Sequence, residues 1–273
     1  MVDGWDDARF PTVQGIVRRG LKISALKQFI LEQGASKNLN CMEWDKLWNI
    51  NKKIIDPISP RHTAIVKEGC VLLTLSNGPE TPYVRKIPKN KRYDDAGVKD
   101  TTFTKKIWIE QTDAQAIADA KAISLNEEIK SVVITLMDWG NASVEEIKKD
   151  SDGNVTELKG VLPPKGSVHK TTKINLTWLP VIDQLAPLTL VEFGYLITVK
   201  KIVEIDFIDV LNPDNKKEIA ALGDANMKQL KRGDILQLER KGYYICDVPY
   251  TEPSKPIVLY AIPDGRQTAP KKT

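Results

Sequence analysis

The chain has 273 residues, of which 41% are hydrophobic, so it can bury one large core or a few small ones. Its formal net charge of +4 permits a polyanionic partner but is too small to indicate one by itself. The 3 cysteines are widely spaced, which argues against a disulfide framework or a zinc site. This cysteine usage fits a protein of the reducing cytoplasm. No apolar run approaches the roughly 20 residues of a membrane helix, so we expect no membrane partner.

The first part of the chain, residues 1–61, has the apolar spacing of helices. Apolar side chains recur every three or four residues in VQGIVRRG, ISALKQFILEQG and EWDKLWNINKKIID. Trp5, Trp44 and Trp48 are expected in the core of this region. Two prolines in DPISPR end the helical pattern. The sequence therefore predicts a small helical module at residues 1–61.

Beyond residue 61 the spacing of apolar side chains changes to every second residue. Short segments such as CVLLTLSNG, KKIWIEQ and LTLVEFGYLIT alternate in the manner of strands. Turn signals separate them, the strongest being Asp152-Gly153. Many short strands with dense turns predict a mainly β fold, divided into two small β-barrels behind the N-terminal helical module.

One predicted β-hairpin, GDILQLERKGYYICD at residues 233–247, carries an unusual set of polar side chains. Gln237, Glu239 and Arg240 can all make directional hydrogen bonds within one short strand. A solvated surface and a recognition surface both explain them at this level.

Residue patterns for self-contained catalysis are weak. Of the 2 histidines, His62 follows a proline-arginine pair and His169 lies in a basic loop, so neither indicates a Ser-His or Cys-His pair. Neither GxxxxGK[ST] nor GxGxxG occurs. Asp6 and Asp7 precede a predicted helix, where carboxylates more often cap the helix than act as acid and base. We therefore expect no catalytic residue and no cofactor in this chain.

Basic residues, in contrast, cluster in loops between strands, as in RKIPKNKR and PPKGSVHKTTK. Loops at barrel rims bind single-stranded nucleic acid in many folds, with cations along the phosphates and polar or aromatic groups at the bases. A solvated surface is the competing explanation.

Several long segments resemble the glutamyl- and glutaminyl-tRNA synthetase family of class I. GWDDARFPTVQGIVRRG resembles the segment GWDDPRxPTxxGxxRRG that follows the KMSKS-type signature in that family, with Ala8 in place of the usual proline. The similarity continues through MEWDKLWNINKKIIDPISPRHTAI, KIWIE, KTTKINLTWLP, GDILQLERKGYYICD and IPDG. EWDKLWNINKKIIDPISPR is similar to the eukaryotic-type glutamyl branch.

The resemblance implies an organisation that the strand pattern alone does not give. The chain is similar to the C-terminal, post-catalytic half of such an enzyme, with a stem-contact module at 1–61. A proximal barrel would comprise 62–105 with 191–270, and a distal barrel 106–190. Together the barrels would form an anticodon-binding region. The ATP-binding domain, with ATP and magnesium as cofactors, would belong to the parent glutamate-tRNA ligase, so this chain alone should be inactive.

The same resemblance implies roles for particular side chains in binding tRNA-Glu. Gln237, Glu239 and Arg240 correspond to positions that lie at the middle anticodon base in the glutaminyl relatives, and Lys99 to an arginine near the same base. Lys170 and Lys173 are candidates for the first or third base or its phosphate. Arg18, Arg19 and Arg61 are candidates for the inside of the bend of the tRNA.

Two alternatives stay open at this point. The chain has the features of a glutaminyl-tRNA synthetase half almost equally well. It also fits a protein-docking module of a multi-synthetase complex, with other synthetases or an assembly cofactor as partners.

Overall fold

The computed structural model describes residues 3–35, 37, 42–124, 131–164, 174–199 and 206–266. Its four helices within these residues are α1 (Val13–Arg18), α2 (Ile23–Gln33), α3 (Asp45–Ile55) and α4 (Gln111–Ser124). Shorter 3-10 segments are Asp94–Ala96, Phe207–Val210 and Ala225–Gln229. No described helix has both the length and the apolar character needed to cross a bilayer.

The predicted helical module is confirmed, since α1, α2 and α3 all fall before residue 61. Thr12 starts α1, because its Oγ1 accepts a hydrogen bond of 3.0 Å from the Gly15 amide. Trp48 is buried as expected, but Trp5 is 74% and Trp44 36% exposed, so the prediction of these two as core residues is wrong. Trp5 lies in the turn before α1, where its ring packs edge-on against Phe10 only from one side.

Sixteen strands, all from residue 61 onward, complete the regular structure of the described chain. They are β1 (Arg61–His62), β2 (Ala64–Val66), β3 (Val71–Leu75), β4 (Tyr83–Pro88), β5 (Val98–Phe103), β6 (Lys106–Ile109), β7 (Val132–Leu136), β8 (Gly140–Lys149), β9 (Val155–Val161), β10 (Asn175–Leu176), β11 (Leu179–Pro180), β12 (Ala186–Phe193), β13 (Lys216–Gly223), β14 (Ile235–Leu238), β15 (Gly242–Val248) and β16 (Ile257–Ile262). The mainly β fold predicted from the sequence is confirmed.

Seven strands form a first sheet in the order β1-β14-β15-β16-β12-β13-β2, called the proximal sheet here. Its two edge strands, β1 and β2, follow each other in the chain with only Thr63 between them. The sheet must therefore curl until its edges nearly meet, which produces the barrel shape. Leu188, Leu236 and Leu259 are among the side chains that fill its interior.

The second sheet, called the distal sheet, has the order β10-β7-β8-β9-β3-β6-β11. Its edges are joined in the same way, because only Thr177 and Trp178 separate β10 from β11. Leu73, Ile134 and Leu158 are fully buried in its core. Among the described strands, β4 and β5 pair only with each other and form a two-stranded ribbon.

Strand pairing differs from the expected barrel boundaries at two places. The strand β3 lies within 62–105 but pairs with β6 and β9 of the distal sheet. The strand β12 starts at Ala186, inside the expected distal segment, and pairs with β13 and β16 of the proximal sheet. Both differences arise because pairing between sequence-distant strands is set by tertiary packing and leaves no mark in local spacing.

The helix α4 was not predicted from the sequence. It packs Ala114, Ile117 and Ala118 onto the distal core. Its alanine-rich sequence, QTDAQAIADAKAIS, has high helix propensity.

The helical module rests on the outer face of the proximal sheet. Leu47, Trp48 and Ile55 pack in one cluster with Tyr243 and Ile245 of β15. The hairpin of β14 and β15 thus lies between the barrel interior and the helices.

Candidate nucleic-acid interface

The predicted hairpin at residues 233–247 is confirmed: β14 and β15 pair antiparallel, with Gln237 opposite Tyr243. Leu236 and Leu238 are fully buried in the core of the barrel. Alternation along a strand therefore directs Gln237 to the opposite face, toward the helical module. Tyr243 extends this face and donates a hydrogen bond from its hydroxyl to the carboxylate of Asp56.

Gln237 lies beside Arg61, a neighbour that the sequence analysis did not anticipate. The strands β1 and β14 are parallel with Arg61 in register with Gln237, and the Gln237 amide donates to the Pro60 carbonyl at 2.9 Å. Register partners on adjacent strands share one face of the sheet. The local spacing of apolar residues gives no signal for this pairing, because the two strands come from distant parts of the chain.

Each of these two side chains has a buried atom without a hydrogen-bond partner among the described residues. The atoms are Oε1 of Gln237, an acceptor, and Nε of Arg61, a donor. Most buried polar side-chain atoms in proteins are paired, since an unpaired one costs about 1–3 kcal/mol. An unmet donor and an unmet acceptor on one face are a candidate recognition site.

Glu239 and Lys99, two further predicted site residues, are brought together. Oε2 of Glu239 accepts a hydrogen bond of 3.0 Å from the Thr63 hydroxyl and lies 3.7 Å from Nζ of Lys99. Their side chains are only 12% and 6% exposed. Lys99 reaches this position from β5 of the ribbon, so the pair links the ribbon to the hairpin turn.

A cleft between the two sheets lies next to this pair. Its lining includes Lys99, Asp224 and Glu239 on one side and Met137, Asp138 and Trp178 on the other. Acidic side chains outnumber Lys99 in this lining. The cleft is therefore better suited to the amino groups of a base than to a phosphate.

His62 lies behind the cleft. It is 1% exposed, and its Nδ1 is 3.0 Å from Oδ2 of Asp224. Burial alone would raise the pKa of Asp224, but His62, Lys99 and the Thr63 amide hold it well below its usual range. Because His62 is buried, it cannot reach a substrate. Its contact with Asp224 instead holds that carboxylate in place.

Arg240, the third predicted residue of the hairpin, is engaged by the distal part of the chain. Its Nη1 and Nη2 donate to Oδ2 and Oδ1 of Asp113 in α4 at 2.5 and 2.7 Å. The next residue, Lys241, forms an ion pair of 2.6 Å with Glu110. Contact of Arg240 with RNA stays a prediction.

The two adjacent arginines of the helical module have intramolecular contacts. Arg18 donates to both carboxylate oxygens of Asp247 at 2.8 and 2.9 Å. Arg19 lies between the rings of Trp48 and Phe193, and its Nη2 donates to the Phe193 carbonyl at 2.8 Å. Burial lowers the pKa of Arg19 to about 10. Their role in tRNA binding stays a prediction, as does that of Lys170 and Lys173, which lie outside the described residues.

Among the described residues, no group of three or more His, Cys, Asp or Glu side chains is placed to hold a metal ion.

Three family models match the chain. Residues 59–162 and 175–247 match anticodon-binding domains of class I tRNA synthetases (E and Q), and residues 1–57 match the catalytic domain of the same class. The helical module predicted to lie after the catalytic domain thus falls within the catalytic-domain model. Arg61, Lys99, Gln237, Glu239 and Arg240 all lie within the anticodon-binding matches.

Named relatives align with almost the whole chain. It is 64% identical over 267 residues to a cytoplasmic glutamate-tRNA ligase of Arabidopsis thaliana, covering 97% of this chain and 36% of the relative. It is 45% identical to a probable cytoplasmic glutamate-tRNA ligase of Schizosaccharomyces pombe, covering 97% of this chain and 35% of the relative. A bifunctional glutamate/proline-tRNA ligase of Cricetulus griseus is 38% identical over 97% of this chain and 17% of the relative. The chain thus spans about a third or less of the length of these relatives.

Proposed function

The chain belongs to the class I glutamyl- and glutaminyl-tRNA synthetase family, and we propose that it is the anticodon-recognition part of a glutamate-tRNA ligase. One observation carries the proposal: the register partners Gln237 and Arg61, within the anticodon-binding matches, have a buried acceptor and a buried donor that are unpaired among the described residues. The ligand we propose for this pair is the middle uridine of the anticodon.

The chemistry of uridine fits the two side chains. The Watson-Crick edge of uridine has two carbonyl acceptors and one imino donor. Oε1 of Gln237 would accept from the imino group, while Arg61 and the amide nitrogen of Gln237 would donate to the carbonyls. Because both unpaired atoms are covered in the free chain, entry of the base requires neighbouring side chains to move.

Further predicted contacts are assigned around this centre. Glu239 and Lys99, at the edge of the cleft, would meet an adjacent base, with Glu239 accepting from an amino group. Lys170 and Lys173 would contact the first or third base or its phosphate. Arg18 and Arg19 would face the inside of the bend of the tRNA, which requires contacts beyond those they make within the chain.

The parent protein would attach glutamate to tRNA-Glu with ATP, and we propose magnesium as the accompanying ion. Relatives named cytoplasmic support a cytoplasmic location. Because only residues 1–57 match the catalytic-domain model, we expect no ligase activity from this chain alone.

Filter binding with transcripts of tRNA-Glu and its anticodon variants tests the proposal. We expect replacement of the middle uridine to weaken binding by about 1–3 kcal/mol. Equal affinity for all anticodon variants would contradict anticodon recognition. A preference for the third base of tRNA-Gln would instead support the glutaminyl half.

Docking to other synthetases is a second candidate function. Relatives named bifunctional glutamate/proline-tRNA ligases support it, since in them two ligase functions share one protein. Pull-down from extract treated with nuclease should retain a synthetase or assembly cofactor if this chain docks directly. If nuclease treatment removes every synthetase from the pull-down, the association runs through tRNA and direct docking is refuted.

A further inference from the structure

The turn between β14 and β15 connects three elements of the fold through three consecutive side chains. Glu239 approaches Lys99 of the ribbon, Arg240 pairs with Asp113 of α4, and Lys241 pairs with Glu110 just before α4. Glu110 also accepts a hydrogen bond of 3.0 Å from the Val66 amide in β2. The turn therefore bridges the proximal sheet to the helix that covers the distal core.

The backbone conformation of Arg240 indicates that an arginine side chain has a role in the β14–β15 turn. Arg240 has φ +66°, in the left-handed region that glycine adopts without steric cost. Only two described residues other than glycine, Arg240 and Asp138, have positive φ. The strained turn is compatible with arginine because the two hydrogen bonds to Asp113 offset the cost.

The partner of Arg240 is too enclosed to meet RNA itself. The side chain of Asp113 is 9% exposed, and both of its oxygens accept from Arg240. If Arg240 turned toward a phosphate, it would leave a buried carboxylate without its cation, which is strongly unfavourable. The bidentate geometry thus holds Arg240 on α4.

The helix α4 passes this restraint to the distal sheet. Ala114, directly after Asp113, and Ile117 are fully buried in the distal core. Gln237 lies three residues before Arg240 on the same hairpin. The position of the uridine site is therefore connected to the distal barrel through the Arg240–Asp113 pair, next to the Lys241–Glu110 pair.

We propose that Arg240 is a positioning residue, which with Asp113 fixes the distal barrel relative to the Gln237 site so that both barrels engage one anticodon loop. This inference rests on the proposed function. It is an alternative to the predicted direct contact of Arg240 with RNA, because here Arg240 acts through Asp113.

Variants that break the pair from either side test the inference in the full chain. We expect Arg240→Gln and Asp113→Asn each to weaken tRNA-Glu binding roughly tenfold, with no further loss in the double variant, because either change breaks the same pair. Both should also reduce the ratio of affinities between tRNA-Glu and transcripts altered at the first or third base. The slope of log K against log salt should stay unchanged in both, since no phosphate contact is lost.

A control and a substitute variant keep the result interpretable. Glu157→Gln breaks an exposed ion pair of 2.6 Å with Lys148 on the distal sheet and should leave binding unchanged. Arg240→Gly removes the guanidinium and the strain together, and replaces Arg240→Gln if circular dichroism shows that variant unfolded. The proposal requires Arg240→Gly to bind as weakly as Asp113→Asn.

Opposite results overturn the inference. If Arg240→Gln weakens binding and lowers the salt slope by about one while Asp113→Asn binds normally or more tightly, Arg240 contacts a phosphate directly. Unchanged binding and base preference in both variants would equally refute positioning. If the unmodified chain has no anticodon preference, the proposed function fails, and this inference fails with it.

Discussion

Arg61 and Gln237 are register partners on the parallel strands β1 and β14, and each has one buried polar atom without a described partner. Each such atom costs the folded state about 1–3 kcal/mol. A ligand that meets both atoms regains this free energy on binding. The arrangement therefore opposes stability and favours recognition.

Replacing Gln237 by leucine should separate these two effects. Gln237→Leu removes the unpaired acceptor at similar side-chain size, so we expect the free energy of unfolding to rise by about 1 kcal/mol. The affinity for tRNA-Glu should fall by about 1–3 kcal/mol because a base-edge contact is lost. Urea unfolding and filter binding measure the two quantities.

Gln28→Leu, on the exposed surface of α2, is the control and should leave tRNA affinity unchanged. If Gln237→Leu binds tRNA-Glu like the unmodified chain, the uridine site is elsewhere.

Arg61→Lys distinguishes a base contact from a phosphate contact. Lysine keeps the charge but lacks the planar set of donors that includes Nε. We expect preference for the middle uridine to fall roughly tenfold while the slope of log K against log salt stays the same. The sequence instead made Arg61 a candidate for the inside of the bend of the tRNA. If Arg61 contacts a phosphate there, lysine should substitute with little loss of base preference.

The sequence predicted the hairpin and the helical module because both depend on local spacing of apolar residues. It did not predict that Arg61 would meet Gln237, since parallel pairing of two distant strands depends on how the whole sheet curls. It also assigned Arg240 to RNA without its partner Asp113, because the helix α4 that carries Asp113 was missed. Residue types at the site were thus predictable, but their pairing required the fold.

Acid should destabilise the chain in part through Asp7. Burial alone would raise the pKa of Asp7, but hydrogen bonds from the Arg9 side chain and from the Arg9 and Asp3 amides hold it well below its usual range. Because the folded pKa is below the unfolded value of about 3.9, the stabilisation is complete above that pH and is lost as pH falls toward the folded pKa.

Asp7→Asn provides the measurement. At pH 7 we expect the free energy of unfolding of the variant to be about 2 kcal/mol lower than that of the unmodified chain, because hydrogen bonds to a charged group are lost. This difference should shrink as pH falls below about 4, because the carboxylate is then protonated in the unfolded chain but still charged in the folded one. Asp183→Asn, at an exposed position, should leave the unfolding free energy unchanged at each pH. A difference that stays constant down to pH 2 would contradict the role of the Asp7 charge.

The ribbon of β4 and β5 should contribute sequence-independent affinity through its exposed cations. Lys86 is exposed on β4, whereas Lys91, just after the ribbon strand, forms an ion pair of 2.8 Å with Asp138. A lysine that releases counterions when it meets a phosphate changes the slope of log K against log salt by about 0.7–0.9. We therefore expect Lys86→Gln to lower the slope by that amount and to weaken every anticodon variant equally. Lys91→Gln should have a smaller effect, because Asp138 already neutralises this lysine. If both substitutions leave the slope unchanged, the phosphate contacts lie on other loops, and the ribbon has no part in binding.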